Sequence, residues 1–338
     1  MAAPYPESAQ ERDRWILAQR ANLKRENPEQ PARSELNPQR PYAFLVEEEL
    51  SQRGDLVPVA TVFLTNRECP WRCLMCDLWR NTLTQSVPPG AIPAQIDYAL
   101  ERLEAARAIK LYNSGSFFDH AAIPPSDYEA IVARLGAFER VVVESHPALV
   151  GDSCLRFNDL LKRNTQAQLE VAMGLETVHP TVGPRLNKRV TLDQFSQAAL
   201  RLRQNNIALR VFVLVKPPFL DEEEALYWAK RSLDFAFDCG ATVAALIPTR
   251  PGNGAIETLA EQGHFAPPKL ATLEAATAYG VGLKRGRVFA DLWDLEKFSS
   301  CPDCFPARQA RLRLMNLEQR IATRVKCESC GENHDQEL

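Results

Sequence analysis

The sequence predicts an α/β fold in which helices pack outside a parallel sheet, flanked by an N-terminal helical arm and a small C-terminal cysteine-rich module. Three observations carry this. Between Leu56 and Arg250, short apolar strand segments alternate with amphipathic helical segments about six times. Residues 1–55 are instead polar and charged, with a stretch rich in Pro and Asn. The chain after residue 287 changes texture again and carries four cysteines around a strongly basic insert.

The elements follow in order. In the arm, residues 1–55, Glu11 to Lys24 reads as an amphipathic helix with Trp15, Ile16, Leu17 and Leu23 on its apolar side. Asn27 to Pro41 reads as a loop or wrapping arm. The core, residues 56–287, opens with a strand from Val57 to Thr65, and a cysteine loop follows it directly. Next come a helix from Ile96 to Ala108 and a strand from Ile109 to Tyr112, which ends in Asn113-Ser114-Gly115-Ser116. Ser126 reads as the cap of a helix over Asp127 to Leu135. The strand Val141 to Val143 ends at Glu144, and a helix covers Leu155 to Asn164. The strand Leu169 to Leu175 ends at Glu176, and Thr191 caps a helix that runs to Gln204. The strand Ala208 to Val215 ends at Lys216-Pro217-Pro218, and Glu222 to Phe237 is helical. A last strand, Thr242 to Ile247, ends at Pro248-Thr249-Arg250. Polar residues thus recur just after strands, on the carboxyl edge where α/β folds build their chemistry. The C-terminal module spans residues 288–338.

Composition narrows the function classes. The 338 residues are 45% hydrophobic and 25% charged, as expected of a globular protein with a substantial core. A net charge of −3 gives no global attraction to nucleic acid or an anionic membrane, so any such partner must meet a local patch. The longest apolar segments hold only roughly 5–8 residues, far short of a membrane span. Met1 to Ser8 lacks the apolar stretch of a signal peptide, no short-period repeat is present, and a cytoplasmic location without a membrane partner is expected. The nine cysteines cluster, which in such a chain favours metal or cluster ligation over disulfides; Cys154 and Cys239 stand alone and read as inert thiols.

The first cluster reads Cys69-Pro70-Trp71-Arg72-Cys73-Leu74-Met75-Cys76. Three thiolates on a loop leaving a buried strand favour zinc or an iron–sulfur cluster. A structural zinc wants a fourth ligand, and no Cys or His follows closely. A cubane held by three thiolates keeps one iron open for a chelating ligand. The Cys69-x3-Cys73-x2-Cys76 spacing after the first strand of a repeating α/β unit resembles the radical SAM superfamily. That resemblance covers roughly Val57 to Arg250 and implies a partial (β/α)6 barrel. It also implies a [4Fe-4S] cluster on Cys69, Cys73 and Cys76, with S-adenosylmethionine (SAM) chelating the open iron. Reductive cleavage of SAM would yield methionine and a 5′-deoxyadenosyl radical, with the protein binding and orienting the reactants and excluding water.

The resemblance assigns further residues. Ser114, Gly115 and Ser116 correspond to the segment whose backbone meets the SAM amino group, although the commoner double glycine is absent here. Glu144 corresponds to a carboxylate that contacts SAM, and Glu176 to one that binds the ribose or neighbouring groups. Lys188 stands where many relatives carry an Arg for the methionyl carboxylate, and acts as a point charge rather than a fork. Lys216 is a further rim candidate. The segments Leu111 to Phe117, Val143 to Ser145, Gly174 to Glu176 and Leu214 to Phe219 resemble the subgroup of the archaeosine-forming tRNA enzyme and elongator-type catalytic subunits. This implies modification of a tRNA nucleoside, with tRNA and an electron-donor protein as partners. Radical chemistry on a small molecule or peptide, or a non-catalytic metal-dependent RNA-binding scaffold, are the alternatives.

The second cluster pairs Cys301-Pro302-Asp303-Cys304 with Cys327-Glu328-Ser329-Cys330. Two CxxC knuckles at this separation read as a zinc-ribbon-like site, with an auxiliary iron–sulfur cluster as the rival; His334 reads as a solvated tail residue. Between the knuckles lie Arg308, Arg311, Arg313, Arg320, Arg324 and Lys326, with Leu312, Leu314, Met315, Leu317 and Ile321. This pattern predicts a basic amphipathic helix that either contacts RNA phosphates or packs on the barrel.

Overall fold

The computed structural model describes residues 4–26 and 33–330, so His334 and part of the Asn27 to Pro41 segment lie outside the described residues, as does the side chain of Leu23. The chain begins with α1 (Ala9–Glu26), β1 (Ala43–Leu50) and β2 (Leu56–Phe63). It continues through α2 (Ala91–Leu100), β3 (Ala108–Tyr112), α3 (Tyr128–Val132), β4 (Arg140–Glu144), α4 (Asp152–Asn164) and β5 (Gln168–Glu176). Then come α5 (Val182–Arg185), α6 (Leu192–Gln204), β6 (Ala208–Val215), α7 (Glu222–Asp238) and β7 (Val243–Pro248). The last described elements are α8 (Ala255–Glu261), α9 (Leu270–Gly282), β8 (Arg287–Ala290) and α10 (Phe305–Glu318).

The strands form one eight-stranded sheet in the order β1 to β8, curled into a half-barrel. β1 runs antiparallel to β2, and β2 to β8 are mutually parallel. Strands β2 to β7 are the six predicted from the alternation. Two more flank them. β1 lies within residues 1–55 and β8 begins at Arg287. Neither reads as an apolar run: β1 carries Glu47, Glu48 and Glu49, and β8 has only 4 residues.

Local chemistry sets several boundaries. Thr191 caps α6 as predicted, in a reciprocal box with Gln194. The Ile96 to Ala108 helix is displaced toward the N-terminus: α2 starts after Gly90, whose φ of 82° suits glycine, and tolerates Pro93 in its first turn. Ser126 is not a cap. It sits in a short 3-10 turn, and Asp127 instead accepts the Gly90 N–H at 3.0 Å, tying the starts of α2 and α3 together.

Each parallel strand buries one face against the helices, through Ile109, Leu111, Val141, Val143, Val171, Met173, Val211, Val213, Leu246 and Val288. The opposite, concave face is charged toward the strand starts. There Glu49 on β1 meets Arg210 at 2.6 Å, Lys110 at 2.8 Å and Arg140 at 3.0 Å, while Glu170 meets Arg210 at 2.6 Å. Arg287 on β8 lies 3.8 Å from both carboxylates and donates to the Leu50 carbonyl at 2.8 Å. Burial alone would raise the Glu49 pKa, but Arg210, Lys110 and Arg140 outweigh it and hold the carboxyl well below its ordinary range.

Removing one member of such a buried network strands the others. Glu49→Ala is expected to destabilise the fold by about 3–5 kcal/mol, read from urea midpoints. Because the Glu49 pKa is depressed, its contribution is present above its ordinary value of 4.5 and is lost as pH falls further. The gap between wild type and variant should therefore narrow in acid.

Candidate functional site

Where the parallel strands end, the backbone turns sharply. Ser114 after β3, Glu176 at the end of β5 and Lys216 after β6 have φ of 53°, 66° and 53°. Side-chain-bearing residues seldom adopt this left-handed conformation, and such positions gather where surrounding contacts define a site.

The cysteine loop leaves β2 along this rim. Asn66 is fully buried and donates to the Asn113 carbonyl at 2.6 Å, binding the loop to the segment after β3. Leu74 N–H donates to the Leu186 carbonyl at 2.9 Å, Asn187 donates to the Arg72 carbonyl at 2.8 Å, and Asn253 donates to the Leu74 carbonyl at 2.7 Å. Trp71 stacks on His146, with ring centroids 3.8 Å apart and planes 9° from parallel. His146 Nδ1 accepts from the Ala148 N–H, so Nε2 carries the proton donated to the Lys188 carbonyl at 2.9 Å. Burial, then the charge of Lys188, lowers the His146 pKa to about 4 and keeps the ring neutral.

The N-terminal arm closes over the loop. Glu68, next to Cys69, accepts from Arg20 of α1 at 2.9 Å and from Arg33, and forms an ion pair with Arg72 at 3.2 Å. Arg20 also lies 4.9 Å over the Trp79 ring. Tyr5 donates to the Arg185 carbonyl at 2.6 Å, Arg12 to the Pro184 carbonyl at 2.8 Å, and Asn187 to Asp13 at 2.9 Å. These contacts tie the arm to the cysteine loop and to the Pro184 to Asn187 segment beside it. Sequence reasoning did not single out Asn66, Glu68 or Asn253, because their partners are mostly backbone groups or charges far along the chain.

Beside the loop lies Asn113 to Ser116. A Cβ on Gly115 would come 3.1 Å from the Cys69 Cβ, so a larger residue there would press the segment away from the cysteine loop by a few tenths of an ångström. The Glu144 carboxylate accepts the Asn113 N–H at 2.5 Å and the Gly115 N–H at 3.2 Å. Its observed contacts therefore order the loop. Burial raises its pKa to about 7, against the lowering effect of those amides. Ser114 is held by the Tyr42 hydroxyl at 3.0 Å and Ser116 by Ser145 at 3.2 Å.

Across the rim, Lys188 pairs with Glu176 at 2.6 Å, and the pair passes over Gly174, where any Cβ would collide with both charged groups. Lys188 is partly buried. Burial opposes its charge, but Glu176 and then Cys73 raise its pKa, so it stays an ammonium. Cys69, Cys73, Cys76, Ser114 to Ser116, Glu144, Glu176 and Lys188 thus share one neighbourhood. Lys216 does not join them: its ammonium meets Glu222 at 2.7 Å and the Pro267 carbonyl at 3.4 Å. A cleft beside the cysteine loop, at the ends of β6 and β7, is lined by Met75, Asp77, Leu214, Ile247, Pro248 and Arg250.

The Sγ atoms of Cys301, Cys304, Cys327 and Cys330 lie within 4.8 Å of one another and can hold a metal. Among the described residues no other set of three such ligands gathers that closely, so Cys69, Cys73 and Cys76 stand farther apart. Of the lone thiols, Cys154 is fully buried in the core and Cys239 only partly. Of the two readings of the basic helix, packing on the barrel holds for its buried arginines. α10 ends at Glu318, and Arg308 and Arg311 are buried on Glu274 at 2.6 Å and 3.2 Å, out of reach of RNA. The cations left exposed are Arg313, Arg320, Arg324 and Lys326.

The raised Glu144 pKa makes a pH prediction. A carboxyl whose folded pKa lies above its unfolded value stabilises the fold below the unfolded value, and this is lost as pH rises through the folded pKa. Between about pH 5 and about pH 8, wild type is expected to lose about 2–3 kcal/mol relative to Glu144→Gln. Urea unfolding of the metal-free protein at the two pH values checks this.

No family model matches the chain. In sequence it is similar to archaeosine synthase subunit beta of Methanosarcina acetivorans, 27% identical over 220 residues, which is 62% of this chain and 63% of that one. It is also similar to archaeosine synthase subunit beta of Thermococcus kodakarensis, 28% identical over 205 residues, or 59% and 63% of the two chains. The chain thus spans less than two thirds of the length of these curated relatives. Among solved structures, methylornithine synthase (PylB) shares the fold with a TM-score of 0.51 at 12% identity, covering 98% of this chain and 85% of that one. The chain thus has the curled α/β half-barrel fold of methylornithine synthase, and in sequence it resembles the archaeosine synthase β subunits.

Proposed function

We propose that this chain is a radical SAM enzyme that modifies a tRNA nucleoside. The observation that carries the reading is the convergence of three cysteines, a tight backbone loop and a partly buried ion pair on one rim of the half-barrel. The donor set suits a [4Fe-4S] cluster: three half-buried thiols, spaced more widely than the C-terminal four, with Lys188 and Arg20 nearby to offset negative charge. Burial pushes each thiol up to about 12, and iron ligation would deprotonate them. When bound, the cluster supplies the electron that splits SAM into methionine and a 5′-deoxyadenosyl radical.

The chain's own residues would bind and orient. Lys188 offers its ammonium to the methionyl carboxylate, Glu176 accepts from the ribose hydroxyls, and the Asn113 to Ser116 backbone, ordered by Glu144, faces the amino group. Met75, Leu214, Ile247 and Pro248 offer apolar walls for the base. The arm packs against the cysteine loop, and limiting water there would protect a radical from side reactions. The relatives' name supports tRNA as substrate class and implies a partner subunit. An electron-donor protein completes the set. Among the described residues no helix is long and apolar enough to cross a membrane.

Anaerobic reconstitution with iron and sulfide, followed by reduction in the presence of SAM, should yield 5′-deoxyadenosine, and Cys73→Ala should abolish it. An intact, reducible cluster that gives no product would sink the catalytic reading. Nucleoside profiling of tRNA from cells lacking the protein should reveal one missing modification.

RNA binding is expected through Arg313, Arg320, Arg324 and Lys326. Replacing all four with Gln should weaken tRNA retention and make the salt slope shallower by about one for each phosphate no longer neutralised. Unchanged filter binding across a salt series would count against this surface.

A further inference from the structure

The half-barrel has an open seam between β8 and β1, and α10 covers it. An exposed strand edge leaves backbone amides and carbonyls unpaired. Here one side chain of α10 and one at its C-cap replace the missing strand. Asn316 accepts the Ala290 N–H at 2.8 Å and donates to the Ala290 carbonyl at 2.9 Å. Gln319 accepts the Val288 N–H at 2.6 Å and donates to the Val288 carbonyl at 2.8 Å. These residues are three apart, so one helical turn presents both amides to alternate positions of β8. On its other side α10 packs against β1.

What holds α10 in place is the segment Cys301 to Cys330. Cys304 stands at the N-cap position of the helix. Arg308, 2% exposed, and Arg311 share the carboxylate of Glu274 on α9, and Arg308 also reaches the Cys304 sulfur. Arg311 Nε donates to the Ala322 and Thr323 carbonyls, each at 3.1 Å, and turns the chain back so that Cys327 and Cys330 meet Cys301 and Cys304. Cys301 and Cys327 Sγ stand 3.9 Å apart. Zinc–thiolate bonds of about 2.3 Å in a tetrahedron set sulfur–sulfur edges of about 3.8 Å. A cubane would insert its iron–sulfide core between the thiolates and hold them farther apart.

We propose that Cys301, Cys304, Cys327 and Cys330 bind one zinc ion, and that this zinc staples α10 to the open edge of the half-barrel. Zinc suits the role because four thiolates complete its shell and leave no position for substrate. The assignment does not depend on the radical chemistry above.

Metal analysis of the full chain, purified anaerobically, tests the identity of the ion. Wild type and the triple variant Cys69→Ala, Cys73→Ala, Cys76→Ala should both hold one zinc per chain, with iron lost only in the variant. Iron retained in the triple variant without zinc would overturn the assignment. Hydrogen exchange tests the staple. Zinc stripped from the folded wild-type chain by a chelator should speed exchange of the Val288 and Ala290 amides at least tenfold. Asn316→Ala with Gln319→Ala, in zinc-loaded protein, should do the same. Unchanged protection of those two amides after zinc removal would overturn the staple. Because the chelator acts on wild-type protein, the test does not require a cysteine variant to fold.

Discussion

Glu49 is the point on which the architecture turns. It sits on the antiparallel edge strand, yet it is within 4 Å of cations on β3, β4, β6 and β8. A flat sheet in the order β1 to β8 could not bring those strands to one carboxylate, so the contact and the curl of the sheet imply each other. The network is costly to desolvate and is tolerable only because every member has a partner. Its consequence lies at the other end of the strands. Curling the sheet points the strand ends inward, and the loops after β2, β3, β4 and β5 are forced into contact.

The rim that results is built from backbone constraint more than from side-chain variety. Left-handed residues stand at Ser114, Glu176 and Lys216, and glycines at 115 and 174 leave just enough room for a neighbouring loop or ion pair. Such positions hold their shape only when the surroundings over-determine them. Asn66, Asn187 and Asn253 do this for the cysteine loop by occupying its carbonyls or those of its neighbours. Glu144 does it for the Asn113 to Ser116 loop. The N-terminal arm adds a second layer, with Arg20 and Arg33 converging on Glu68.

The two cysteine groups differ in the same physical terms. One lies on a rim loop, its sulfurs spread and its flank open toward a cleft. The other closes a hairpin-like excursion on itself, with its sulfurs drawn together and its arginines turned inward. The first arrangement can receive a ligand, and the second is saturated by its own chain.

The sequence by itself determined the repeating α/β pattern, six of the eight strands, and the two cysteine groupings. These are local properties: burial on both faces makes a strand apolar, and ligands within a few residues of one another show in the spacing. It could not show β1 or β8, since one is charged and the other is only a few residues long. Nor could it say which charges face water. Arg308 and Arg311 look like a nucleic-acid surface in the linear sequence, and only packing against α9 turns them toward Glu274. Arg210 and Glu49 are 161 residues apart. Charge carries no periodic signal, so the partner of a charged residue is decided by the folded chain, and with it whether that residue binds a ligand, closes a sheet or meets solvent.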